Sequence, residues 1–239
     1  MRIAKAGWIT DRILLLGSEE SNVYLLKGQE NTIVGGGMIT IVPDILEQLD
    51  TFGIRESTIT RLLILHTHFD HCAIAPFFAK RCPQLKVVTS NRGKDLLANP
   101  KVVESISFLS KTAIAQASME EKAEALNLIF DGVEVKETVE GGDRVNWGGI
   151  ELEIIDAPGH SSDSIAAYMP SEKALHHALK KLLAVPFTMV APQHGSVITD
   201  QKSLQKVFGL LAGLKGVGID ALVEEGYQIN PERIQKRFA

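Results

Sequence analysis

Only two cysteines, Cys72 and Cys82, occur in 239 residues, too few for a disulfide framework or a four-cysteine metal site. Cys82 stands alone before Pro83 and Cys72 lies inside a histidine cluster. Both read as reduced thiols, which suits a cytoplasmic protein. Long apolar runs are missing as well. The first, Ile13-Leu14-Leu15-Leu16, has only four residues, far short of a signal-peptide core or a membrane span, so neither export nor a membrane partner is expected. Basic excess is absent: Lys and Arg number 25 against 29 Asp and Glu, for a net charge of −4 and a pI near 6.0. That balance argues against a broad cationic face and hence against nucleic acid as a partner. Repeats, low-complexity stretches and a dividing linker are also lacking, and no Gly-x-Ser-x-Gly elbow offers a serine nucleophile.

What is present is an ordinary soluble composition, 45% hydrophobic and 23% charged, which excludes disordered, collagen-like and coiled-coil chains. The length suits a single domain over 1–239 with a sizeable core. Apolar runs of strand length occur at Ile13 to Leu16, Val23 to Leu26 and Thr32 to Val34, the last leading into Gly35-Gly36-Gly37. Pro43 opens a helical stretch whose buried face is Ile45, Leu46 and Leu49, and Gly53 stops it. Leu62-Leu63-Ile64-Leu65 is a continuous apolar run, the mark of a strand buried on both faces. A helix over Ala75 to Lys80 and a strand at Lys86 to Val88 follow, giving a layered α/β pattern.

Residues 92 to 128 read as a helical insert. Val102, Ile106, Leu109 and Ala113 form an apolar stripe, and a second helix is expected over Met119 to Leu128. The insert packs on the core or walls a substrate pocket. Strands are expected again at Val133 to Val135, Arg144 to Trp147, Ile150 to Ile155 and Ser164 to Tyr168, with Gly148-Gly149 as a hairpin turn. Helices are expected over Ala174 to Leu183, over Lys202 to Leu214 and from Pro231.

Five of the seven histidines fall in three turn-like sites after strand-like runs: His66-Thr67-His68-Phe69-Asp70-His71, Gly159-His160-Ser161 and Gln193-His194-Gly195. Imidazole suits zinc and iron, and several must converge to hold an ion. His66 and His68 are two apart, so on an extended chain they face the same side. Asp70 and His71 continue round the turn towards a second position. His176 and His177, adjacent on a predicted helix, point about 100° apart and read as exposed helical residues. Cys72 reads as a packing residue.

The His66-x-His68-x-Asp70-His71 run resembles the signature of the metallo-β-lactamase superfamily, and the Pro158-Gly159-His160 and His194-Gly195 turns are similar to its later metal-binding sites. The resemblance implies a four-layer αβ/βα sandwich with a metal pair at one edge of the two sheets. It implies His66, His68 and His160 on the first ion, and Asp70, His71 and His194 on the second. The ions would be divalent, zinc foremost, with iron and manganese as alternatives. Two departures stand out. Between His160 and His194 the only carboxylates are Asp163 and Glu172, neither placed to match the family's bridging aspartate. Relative to that pattern a segment is missing near 175–176, either deleted or a loop omitted from this chain. The second explanation is favoured, since losing a central strand and a ligand together would be costly to the fold. Gly35-Gly36-Gly37 stands where the family often has a supporting aspartate.

The function this implies is a metal-dependent hydrolase, in which a metal-bound hydroxide attacks the carbonyl of a small acyl substrate: a thioester, lactone or related ester. Asp70 would be catalytic, orienting the attacking water. Histidine rather than a carboxylate at position 68 favours hydrolysis over the chemistry of the oxygen-reducing diiron members, and the acidic charge disfavours RNA processing. The helical insert resembles that of thioesterase-like and lactonase-like members and suits a homodimer. The alternatives are a mononuclear-iron dioxygenase of the persulfide type, a degenerate non-catalytic binding module, and a structural protein with an incidental metal.

Overall fold

The computed structural model describes residues 2–3, 5–157, 160–172, 174–176, 189–191 and 197–198. The first half of the chain builds one sheet. Gly7–Trp8 (β2, after a short β1 at Arg2–Ile3) leads to the hairpin of Ile13–Ser18 (β3) and Ser21–Leu26 (β4), which are buried along almost their whole lengths. Asn31–Val34 (β5), Ile59–Leu63 (β6), Lys86–Thr89 (β7) and Val135–Thr138 (β8) complete an order β2-β3-β4-β5-β6-β7-β8. β5 to β8 are mutually parallel, and parallel strands need crossovers. Helix α1 (Val42–Thr51) and helices α2 (Phe69–Cys72) and α3 (Ala75–Arg81) provide the first two.

The third crossover is the insert, and it contains three helices, not two: α4 (Asn91–Leu97), α5 (Pro100–Gln116) and α6 (Glu120–Ala125). Ser90 caps α4, its hydroxyl accepting from the Gly93 N–H at 3.0 Å, and Asn99 caps α5 ahead of Pro100. The α5 stripe is rotated from the expected one. Ile106, Ser110, Ala113 and Ile114 are buried, whereas Leu109 is exposed. At 100° per residue, Leu109 lies nearly a right angle from the centre of that face, and the face admits a serine.

The second sheet has the order β1-β14-β13-β12-β11-β10-β9. Its strands are Arg144–Trp147 (β9), Ile150–Asp156 (β10), Ile165–Met169 (β11), Ala174–His176 (β12), Met189–Ala191 (β13) and Val197–Ile198 (β14). Gly148 and Gly149 turn the β9–β10 hairpin with φ of +59° and +83°, the left-handed pair that a tight hairpin requires. The first strand of the insert's far side begins at Val135, two residues later than expected.

One expectation is overturned here. Ala174 to His176 is strand, not the start of a helix, so the reading of His176 as a helical residue falls with it. Ala174–His176 pairs antiparallel with β11 and parallel with β13, with His176 opposite Ala167 and Ala191. Ladder bonds on both sides outweigh the modest helix preference of Ala and Leu. His177, the rest of the 177–183 stretch and the helices expected beyond residue 201 lie outside the described residues.

The sheets pack face to face. Ile13, Leu15, Val34, Leu63 and Leu65 from one meet Trp147, Leu152, Ile154, Ile165 and Ala167 from the other. The opposite face of the first sheet carries Leu14, Leu25, Ile33 and Leu62 against Ile45 and Leu49 of α1, Phe78 of α3 and Ile106 of α5. Helix, sheet and sheet are thus stacked as in an αβ/βα sandwich. Because β5 to β8 run the same way, the turns after β5, β6 and β7 share one edge, where α/β sheets carry their ligands.

Candidate metal centre

β6 is followed by Ile64 and Leu65, fully buried, and the chain then enters His66 with no side-chain exposure. Ile64 N–H donates to Val88 O at 2.8 Å, and Ile165 N–H donates to Leu65 O at 2.9 Å. The second bond ties the two sheets together one residue before the first histidine. His68 is extended (φ −67°, ψ 150°) at the N-terminus of α2. The short helix then sets Asp70 and His71 side by side, with Asp70 Oδ2 3.5 Å from His71 Nε2.

His66, His68 and His160 come together: each offers a ring nitrogen, and these atoms lie within 4.8 Å of one another. The His66 and His68 rings are 4.9 Å apart, His68 and His160 4.7 Å, and His66 and His160 5.3 Å. His71 packs against His66 from the other side, with ring centroids 4.0 Å apart. His66 and His71 are buried while His68 and His160 face solvent, so the cluster has a floor and an open side. Three imidazoles converging with one face open is the donor set of a catalytic divalent-metal site, and the residues present fit such an ion. His194 lies outside the described residues.

The Gly35-Gly36-Gly37 turn supports this cluster through the backbone instead of through a carboxylate. Gly36 N–H donates to His71 O at 2.9 Å, while Ala73 N–H and Ile74 N–H donate to Gly37 O and Gly36 O, each at 3.0 Å. A Cβ at Gly36 would lie 2.5 Å from His71 O and 2.7 Å from Cys72 Cα. Glycine is required there by close approach.

Asp163, set aside from the sequence as a bridging ligand, has a role that the sequence did not show. It is 2% exposed, and its Oδ2 accepts the Thr67 N–H at 2.8 Å, between the two histidines of the first turn. Its other oxygen accepts the Ser161 hydroxyl. The signal available was an aspartate flanked by serines three residues after a strand-end histidine.

Cys72 is fully buried, and its Sγ donates to Thr67 O at 3.6 Å. Burial pushes its thiol pKa up, and the negative charges of Asp70 and Asp163 push it the same way. Cys82 is raised too, by burial first and then by Glu56. A raised pKa means less thiolate at neutral pH, and thiolate is the reactive form. Ellman's reagent is therefore expected to label neither thiol appreciably in the native protein at pH 7 and to label both after denaturation. Prompt native labelling of Cys72 would contradict this packing.

Two cavities lie on the same edge of the sheets. One of about 360 Å³ is lined by Ser90, Arg92, Glu140, Asp156, Ser162 and Asp163. The other, about 220 Å³, lies between the β3–β4 turn, Met38 and Ala113 and Gln116 of α5, so the helical insert walls it.

The metallo-beta-lactamase superfamily model matches residues 16–178. The chain belongs to the metallo-β-lactamase superfamily. Among curated proteins it is 25% identical over 177 residues to the acyl-coenzyme A thioesterase MBLAC2 of Bos taurus, covering 70% of this chain and 60% of that protein. The chain therefore spans 60% of the length of that relative. Among solved structures it resembles BJP-1, a subclass B3 metallo-β-lactamase of Bradyrhizobium japonicum, with a TM-score of 0.57 at 18% identity over 97% of this chain and 92% of the other. It also resembles a variant flavo di-iron protein of Thermotoga maritima, with a TM-score of 0.63 at 16% identity over 89% of this chain and 62% of the other. At such identities the structural likeness shows the metallo-β-lactamase fold. Members of this superfamily bind divalent metals, and a histidine cluster is present in this chain. No helix among the described residues is long and apolar enough to cross a membrane.

Proposed function

We propose that the protein is a metal-dependent hydrolase that cleaves a small acyl compound, a thioester before a lactone or other ester. The observation that carries this reading is the convergence of His66, His68 and His160 with one side open. In this reading those three hold the first divalent ion, and Asp70 and His71, with His194, hold a second. Zinc is the first choice and iron or manganese the alternatives. The kinship with an acyl-coenzyme A thioesterase supports the thioester class.

Bound at this edge, a divalent ion lowers the pKa of water towards neutrality and polarises a carbonyl oxygen. The chain's own residues supply the rest. The Asp70 carboxylate, next to His71, orients the attacking water and takes up its proton at Oδ2. The water oxygen bonds to the acyl carbon, the bond from that carbon to sulfur breaks, and the thiolate leaves with the proton held on Asp70.

The test is hydrolysis of a panel of short acyl thioesters, lactones and aryl esters by zinc-loaded protein. Thioester turnover well above that of the other classes is the expected result, and no turnover of any of the three would overturn the reading. Asp70→Asn is expected to lower kcat by about 10²- to 10⁴-fold, the usual contribution of a positioned acid–base group, and to leave the fold intact by circular dichroism. An unchanged kcat would remove Asp70 from the mechanism.

A further inference from the structure

Asp163 sits in the turn between β10 and β11, three residues after His160, yet its carboxylate is directed into the other sheet's turn. Oδ2 accepts the main-chain N–H of Thr67 at 2.8 Å, and Oδ1 accepts the Ser161 hydroxyl. Its backbone carbonyl accepts the Ser90 hydroxyl at 2.8 Å, and that same hydroxyl caps α4 by accepting from Gly93 N–H at 3.0 Å. One residue therefore joins the ends of β6 and β7 to the turn that carries His160. Next to it, the bond from Ile165 N–H to Leu65 O at 2.9 Å fastens the same two segments.

A carboxylate that is 2% exposed is costly to keep charged unless it is compensated. Among the described residues no lysine or arginine forms an ion pair with it. Two hydrogen bonds stabilise the charge in part. Both partners of the carboxylate adjoin the imidazole cluster: Thr67 lies between His66 and His68, and Ser161 follows His160.

We propose that Asp163 is a positioning residue: it holds the His66-Thr67-His68 backbone against the His160 turn and so sets the affinity of the imidazole cluster for a divalent cation. This rests on the metal reading of that cluster. Asp163 is not one of the three converging donors. Its side chain fixes the Thr67 amide, which orients the ring on either side of it, as outer partners commonly do at metal sites.

The test is a competition titration of the full-length protein with zinc against a chromophoric chelator, together with the cobalt(II) absorption spectrum and the melting temperature of the metal-free protein. Asp163→Ala is expected to weaken zinc binding by about 10- to 100-fold and to change the cobalt spectrum. Asp163→Asn keeps an oxygen for Thr67 N–H but loses the charge, and is expected to fall between wild type and Asp163→Ala. A purely structural role would lower the metal-free melting temperature and leave both affinity and spectrum as in wild type, and that result overturns the proposal. If Asp163→Ala does not fold, Asp163→Asn decides, and zinc affinity equal to wild type overturns it. Wild-type protein that takes up no zinc would sink the metal reading itself, and this proposal with it.

Discussion

Changing His66 and His68 together to alanine is expected to abolish thioester hydrolysis, a loss of about 10³-fold or more. Removing one electrostatic donor from a developing oxyanion already costs about 10² to 10³, and here the group that both activates water and polarises the carbonyl is removed. The pair supplies two of the three converging imidazoles, so His160 alone cannot retain the ion. The measurement is zinc content by mass spectrometry beside kcat/KM. The double variant should lose the ion held by the three imidazoles, so its zinc content should fall below that of wild type as turnover is lost. His66 is fully buried, so circular dichroism is needed to show that the variant still folds. His68→Ala alone, at an exposed position, is the check if it does not. Unchanged turnover in folded protein would defeat the assignment.

Gly36→Ala is expected to damage the site without touching a histidine. The new methyl would meet His71 O at 2.5 Å and Cys72 Cα at 2.7 Å, both backbone atoms that no rotamer change can move aside. Overpacking of this kind costs about 3 kcal/mol, which for a chain of this size lowers Tm by roughly 6–12 °C. Relief of the clash also pushes α2 away from the turn, so zinc affinity should fall with stability. Gly53→Ala is the comparison. Gly53 has φ +67° but nothing within 4 Å, so its substitution costs about 1 kcal/mol through conformation alone, and zinc binding should not change. Equal melting temperatures for the two variants, by differential scanning calorimetry, would show that the close approach at Gly36 is not what holds α2.

The parts of this architecture that were legible in the sequence are those written in local pattern. The apolar runs at Ile13 to Leu16 and Leu62 to Leu65 marked strands because parallel and central strands are buried on both faces, although β6 spans Ile59–Leu63 and the second run continues two residues past its end. Gly148-Gly149 marked its hairpin because few other residues adopt two successive positive φ values. The His66 to His71 spacing marked a cluster because a short extended stretch leading into a turn leaves little choice of direction. What escaped was set by long-range contact. Ala174 to His176 has the composition of a helix and becomes strand because β11 and β13 present open edges to it. Leu109 turns outward and Ser110 inward because the angle at which α5 meets the sheet, not the sum of its apolar residues, fixes the buried face. Asp163 is weighed from the sequence only as a bridging aspartate and set aside as misplaced, since nothing local shows that the Thr67 amide, 96 positions away, takes its carboxylate. Gly36 gave a comparable difficulty: within a run of three glycines, only the packed α2 shows that a methyl at the middle one would meet backbone atoms, whereas at Gly37 it would meet the end of the Ile41 side chain.

The most direct test of the account is a zinc add-back titration: the protein is stripped with chelator and the rate of thioester hydrolysis is followed against equivalents of zinc restored. The account predicts no turnover in the stripped protein and recovery that saturates at a stoichiometric amount of metal. Turnover that survives stripping, or stays at zero when bound zinc has returned to stoichiometry, would contradict it.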